Sequence, residues 1–252
     1  MIAQLTFNNK NYTAALNNPH DISLPLKAGD QNPTCYRADA VTMETIRSGD
    51  FVGSVKEGGS VNYQKLSLTP HGNGTHTECY GHISADTVTI NQCLTKFHFF
   101  AEVISVTPEQ IKSGDFVITR TVLVEKIKNP AVQAIVIRTL PNADAKRTAN
   151  YSGTNPPYLD HEAAAYLAEL GISHILIDLP SVDRESDGGK LLAHKAFWQF
   201  PKNIRKACTI TELIFVENII ADGLYLLNLQ ITSLEMDASP SKPVLYNLTE
   251  VL

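Results

Sequence analysis

Two uninterrupted apolar runs, Ala134-Ile-Val-Ile137 and Ile175-Leu-Ile177, constrain the fold of this chain more than any other feature. Runs this short suit strands that are covered on both faces of a sheet. Between them, the segment from Asp160 to Leu170 reads as a helix. Asp160 can cap its start, Glu162 lies near the positive end of its dipole, and Gly171 stops it. A strand, a long connection with a helix, and a second strand make a crossover unit, so part of the sheet is parallel.

The remaining signals favour strands. The segment from Met1 to Asp50 holds short apolar runs broken by Pro25, Gly29 and Pro33, and reads as short strands and loops. Lys65-Leu-Ser-Leu-Thr69 alternates polar and apolar residues, as a half-buried strand does. Leu213-Ile-Phe-Val216 predicts a further strand, and Gly223 to Thr232 predicts one leading out to the C-terminus. Thr107-Pro-Glu-Gln110 has the cap, proline and glutamine of a helix start. No repeat or low-complexity linker divides the chain. The expectation is an α/β fold: one β-rich domain over residues 1–252, with a mixed sheet and few helices.

Charge and composition narrow the partners. The 21 basic residues are scattered among 26 acidic ones, so no nucleic-acid footprint stands out. No apolar stretch approaches the roughly 18 residues that span a bilayer. The opening segment lacks a basic start followed by an apolar run. The chain therefore reads as soluble and cytoplasmic. Cys35, Cys79, Cys93 and Cys208 form no C-x-x-C pair and read as reduced, buried thiols.

The chemistry concentrates in Pro70-His71-Gly-Asn-Gly-Thr-His76-Thr-Glu78-Cys-Tyr-Gly-His82, which holds three of the eight histidines. Imidazole and carboxylate are the usual ligands of divalent zinc and manganese. Gly72, Gly74 and Gly81 argue against a regular helix and permit a tight loop whose side chains converge. In an extended segment His76 and Glu78, two residues apart, project to one face. Asn73 and Thr75 are of the kind that orient ligands by hydrogen bonds. A histidine-rich surface loop without metal is the plainer alternative.

The stretch resembles the signature H-x-G-T-H-x-D-x-P-x-H of the cyclase family, whose members include kynurenine formamidases and isatin hydrolases. Gly74-Thr75-His76 matches its centre and His82 its last histidine. Asp21-Ile-Ser-Leu-Pro25 resembles the family's opening strand. Asn155-Pro-Pro-Tyr158-Leu159 and Ile177 to Arg184 resemble its second block. His194 and Glu217 look like its downstream ligands.

The resemblance implies a metal-dependent hydrolase of the swivelling β/β/α type, a homo-oligomer (dimer or tetramer) with one or two divalent ions, Zn²⁺ or Mn²⁺. It implies metal ligands at His71, His76, Glu78, His194 and Glu217, and His82 as the acid/base. Such an ion moves the pKa of a water from about 15.7 towards 7, and histidine, ordinarily near 6.5, suits proton transfer at neutral pH. The bond implied is the C–N bond of a small amide such as an aryl formamide. A lactone or cyclic imide, or a member that binds without turnover, are the other readings.

Tyr36, Tyr80 and Trp198 are candidates to line a pocket for a flat substrate. Asp183 and Arg184 read as a structural pair, and Cys79 lacks the dedicated base of a nucleophile. The sequence departs from the pattern in four places. His71 lies one position early, with Gly72 in the histidine slot. Glu78 replaces aspartate, Tyr80 replaces proline, and the segment between His194 and Glu217 is long.

Overall fold

The apolar runs become neighbouring parallel strands, with Ala134 opposite His174 and Ile137 opposite Ile177. Every residue of Ala134–Thr139 and His174–Ile177 is buried, as their composition requires. The structure, a computed structural model, describes residues 1–251. Its main sheet has ten strands: β1 (Ile2–Phe7), β2 (Lys10–Ala15), β3 (His20–Asp21), β4 (His76–Glu78), β5 (His98–Val106), β6 (Ala134–Thr139), β7 (His174–Ile177), β8 (Thr209–Glu212), β9 (Gly223–Ile231) and β10 (Ala238–Val251).

Seven of these strands, in the order β10-β9-β5-β6-β7-β8-β4, close into a barrel, because β4 pairs with both β8 and β10. Strands β5 to β8 run parallel, and the other pairings are antiparallel. The sheet is thus mixed, as expected. β10 continues past the barrel to pair with β2, which carries β1 on its outer edge.

Four α-helices accompany the sheet among the described residues: α1 (Ile90–Cys93), α2 (Arg120–Lys126), α3 (His161–Glu169) and α4 (Leu192–Trp198). Helix α3 is the crossover helix. It buries Ala163, Ala164, Leu167 and Ala168 on one face, and packs against α2 and α4. Small residues on that face allow the close approach. Leu167 is fully buried, so truncating it to alanine costs about 2–5 kcal/mol. Asp160 stands at the cap position, yet its carboxylate pairs with His161 Nδ1 at 2.8 Å rather than with a backbone amide.

Several local expectations are corrected. Thr107 starts no helix: Glu109–Gln110 pairs with Phe116–Ile118 around a turn at Gly114, whose φ is 92°. The helix begins after Thr119, whose hydroxyl accepts from the Val122 amide at 3.4 Å. The alternating segment at Lys65 is not half-buried: Gln64–Ser67 and Thr42–Thr45 form a separate two-stranded ribbon, and all four residues of Gln64–Ser67 are exposed. Leu213 has φ 55°, which ends β8 just before the predicted strand at 213–216. The long strand β10 follows β9 and carried no prediction. No helix among the described residues is long and apolar enough to cross a membrane.

Candidate metal centre

The site is built on the short strand that closes the barrel. On one side of β4, Glu212 lies opposite His76 and Ile210 opposite Glu78. On the other, Ala238 lies opposite Glu78. Residues opposite one another share a face, and alternate residues of one strand share it too. His76, Glu78 and Glu212 therefore face one way, with Asp237 entering just before Ala238. Thr77 faces the other way, where its hydroxyl meets that of Thr211 at 2.8 Å.

His71 reaches the same point from a 3₁₀ turn, Pro70–Gly72. A Cβ on Gly72 would lie 2.3 Å from the Ala38 Cβ. No side chain fits the slot where the family pattern has histidine, and the turn delivers the imidazole one residue earlier. Asn73 and Thr75 secure this backbone rather than the imidazoles. Asn73 accepts from the Thr69 amide (2.8 Å) and donates to the Asp39 carbonyl (3.1 Å). The Thr75 hydroxyl donates to the Leu213 carbonyl (2.7 Å) and accepts from the Leu24 amide (2.9 Å).

Glu78 is the hub. Its Oε2 lies 3.0 Å from His71 Nδ1 and 3.9 Å from His82 Nε2, and its Oε1 lies 2.9 Å from His194 Nε2. Each imidazole has a second partner that fixes its ring. Asp183 Oδ2 is 2.6 Å from His194 Nδ1, and the Gly74 carbonyl is 3.1 Å from His76 Nδ1. Asp237 Oδ2 is 2.7 Å from His71 Nε2 and 3.3 Å from His82 Nδ1. A cavity of about 240 Å³ opens over the cluster, lined by Tyr36, His71, Glu78, His82, His194 and Glu212 among others.

Burial would raise the pKa of Glu78, but His82, His194 and His71 overcome it and hold the carboxylate well below its usual range. Burial likewise disfavours charge on His71 and His194. Asp237 and Glu78 push His71 up to about 10, and Glu78 with Asp183 pushes His194 up to about 10. The cluster is thus negative enough to hold protons that free imidazoles release, and a divalent cation competes for the same lone pairs.

The donor set fits such an ion. One donor atom each from His71, His76 and Glu78 lie within 4.8 Å of one another, as do those of Glu78, His82 and His194. His76 Nε2 is buried with no hydrogen-bond partner, although Glu212 Oε2 stands 3.3 Å away. The other oxygen of Glu212 accepts from the Val182 amide at 2.9 Å. A buried nitrogen left orphaned beside a carboxylate is costly unless a cation joins them.

Residues 20–184 match the family described as putative cyclase. The chain belongs to the cyclase family. Among curated relatives, the kynurenine formamidase of Bacillus cereus is 27% identical over 228 residues, covering 89% of this chain and 95% of that one. That of Bacillus thuringiensis is 27% identical over 205 residues, covering 80% and 88%. Among solved structures, a potential metal-dependent hydrolase with cyclase activity superposes with TM-score 0.66 at 16% identity, covering 91% of this chain and 97% of that one. Isatin hydrolase A from Labrenzia aggregata superposes with TM-score 0.65 at 14% identity, covering 90% and 93%. At these identities the solved structures establish the shared fold.

The cyclase-family pattern drew attention to residues that the fold treats differently. His71, His76, Glu78, His82 and His194 come together. Glu217 does not: its carboxylate pairs with Arg147 at the surface, beyond the break at Leu213. Glu212 faces the cluster instead, 3.3 Å from His76 Nε2; the alternation Thr209-Ile-Thr-Glu212 signals a strand, but only the pairing of β8 with β4 brings the carboxylate there. Asp237 was also missed and had no local signal.

Among the aromatic candidates only Tyr36 lines the cavity, and burial together with Glu212 pushes its phenol above the usual range. Tyr80 belongs to the hydrophobic core, among residues that include Cys79 and Cys93. Trp198 is fully buried, donates to the Cys208 carbonyl at 3.0 Å, and packs behind His194 with ring centroids 5.3 Å apart. Asp183, read from sequence as a structural partner of Arg184, instead holds His194, while Arg184 pairs with Asp115 at 3.2 Å.

Proposed function

We propose that this cyclase-family protein hydrolyses the C–N bond of a small amide of the aryl formamide kind, with a divalent metal held by His71, His76, Glu78, His194 and Glu212. The observation that carries the reading is the convergence of these donors around the orphaned His76 Nε2 beneath an open cavity. The ion supplies Lewis acidity towards the amide carbonyl and increases the acidity of a water.

The chain's own residues do the rest. Asp183 and the Gly74 carbonyl hold His194 and His76 with their Nε2 atoms turned to the cluster. His82 is exposed at the cavity mouth, with Asp237 on its Nδ1. It takes the proton of the attacking water and returns it to the leaving nitrogen. Tyr36 shapes the cavity wall.

Zn²⁺ or Mn²⁺ is the expected ion, and the family resemblance supports a homo-oligomeric assembly, dimer or tetramer, working in the cytoplasm. The relatives named kynurenine formamidase make N-formylkynurenine the first substrate to try, with isatin as a cyclic amide for comparison. Metal analysis of the purified protein, followed by chelation and readdition, tests the reading. One or two ions per chain and metal-restored hydrolysis are expected. No stoichiometric metal and no rescue by Zn²⁺ or Mn²⁺ overturns it.

A further inference from the structure

Beside the metal cavity lies a second, larger space of about 610 Å³, lined by Tyr36, Arg37, Gly153, Asn155, Arg184, Glu185 and Ser186. The two share Tyr36, Arg184 and Glu185 as a common wall. Their charges differ in availability. In the inner cavity the carboxylates of Glu78 and Asp183 are paired with His71 and His194, and Glu212 faces His76, so its charges are taken up within the cluster and by the cation it would hold.

In the outer chamber most charges are already engaged. Glu185 accepts from the Gly153 amide at 2.5 Å and the Asn155 amide at 3.0 Å. Arg184 pairs with Asp115 at 3.2 Å and donates to the Ser186 carbonyl at 3.2 Å. Arg37 has no carboxylate partner among the described residues; its backbone amide donates to the Ser152 hydroxyl at 2.9 Å, and its guanidinium is free.

The backbone at this wall is costly to hold. Tyr36 (φ 54°) and Arg37 (φ 55°) are consecutive non-glycine residues in the left-handed region. Such conformations persist where the surroundings over-determine them, often at binding sites. Here the corner is pinned by the Ser152 contact and by the Ala38 amide on the Cys35 carbonyl at 3.0 Å. The result is a tyrosine on the wall shared by both spaces and an uncommitted guanidinium beside it in the outer one.

We infer that Arg37 receives a carboxylate carried by the substrate, in the outer chamber, while the neutral amide end enters the metal cavity. This rests on the hydrolase reading and adds a polarity to it: the anionic end stays outside. Arg37 acts as a specificity residue, because it touches the part of the substrate that does not react.

The test compares 2-formamidobenzoate with formanilide, its analogue without the carboxylate, on the metal-loaded protein and on Arg37→Ala and Arg37→Lys. The readout is the ratio of kcat/KM for the two substrates. Arg37→Ala should lower that ratio roughly tenfold, through KM for the carboxylated substrate, and Arg37→Lys should recover part of it. An unchanged ratio overturns the inference.

Calorimetric binding of 2-aminobenzoate against aniline separates this result from failure of the hydrolase reading. If neither formamide is turned over, yet 2-aminobenzoate binding weakens on Arg37→Ala, the chamber assignment stands and the hydrolase reading falls. Binding of 2-aminobenzoate that ignores Arg37 overturns the assignment whatever the activity.

Discussion

Two buried histidines sit towards opposite ends of the parallel strands and behave in opposite ways. His174 opens β7, 2.8 Å from the Thr209 hydroxyl that opens β8, with its ring 4.0 Å from that of Phe99. Burial, aided by Arg205, pushes it down to about 3. His194, reached through the chain that leaves β7, is as deeply buried but is pushed up to about 10 by Glu78 and Asp183. Burial opposes charge at both. The neighbours decide the outcome, and only the carboxylate-rich end is suited to a cation.

The largest test of this contrast concerns Glu212, which gives the site end part of its negative charge. Glu212→Ala should lose bound metal and lower kcat/KM well beyond the roughly 10–100-fold cost of removing an orienting partner. Glu217→Ala, at the surface, should match the unaltered protein in metal content and rate. The reverse pattern would return the ligand role to Glu217. Next in size is His82→Ala, where kcat should fall by roughly 10²–10⁴-fold while the metal is kept. Retained turnover in that variant would remove His82 from the chemistry.

The smallest effect is thermodynamic, and its sign differs between the ends. Between pH 6.5 and about 3 the unfolded chain takes up a proton that folded His174 refuses. Stability therefore falls as pH drops through that window, by up to about 1.4 kcal/mol per unit, and His174→Gln should flatten the fall. At the site end, folded His71 and His194 keep protons up to about 10 that the unfolded chain releases above its ordinary value. Chelator-stripped protein should thus lose stability as pH rises from about 6.5 towards 10. Metal-loaded protein should not, because the ion needs those nitrogens deprotonated. Denaturant unfolding of both forms across this range checks the two slopes; identical slopes would count against the contrast.

What could be read from sequence divides along similar lines. Residues close in sequence were legible: His76 and Glu78 share a face because a strand has a period of two, and the apolar runs at Ala134 and Ile175 gave a parallel pair. Glu212 depended on the register of β8 against β4, which no local pattern encodes, so the resemblance led to Glu217. The displaced His71 made sense only once Gly72 was seen against Ala38. Residue type makes Trp198 a candidate for a pocket wall or for packing, and its full burial behind His194 decides for packing.

Strand β4 has a further consequence. Only three residues long, it is held between β8 and β10, and β10 is the latest strand of the sheet along the chain. During synthesis the histidine stretch leaves the ribosome more than a hundred residues before Asp237 and its strand follow. A nascent chain therefore carries every proposed ligand before it has the strand that closes the barrel beside Glu78, so the cluster takes its final form only when residues 237–251 emerge.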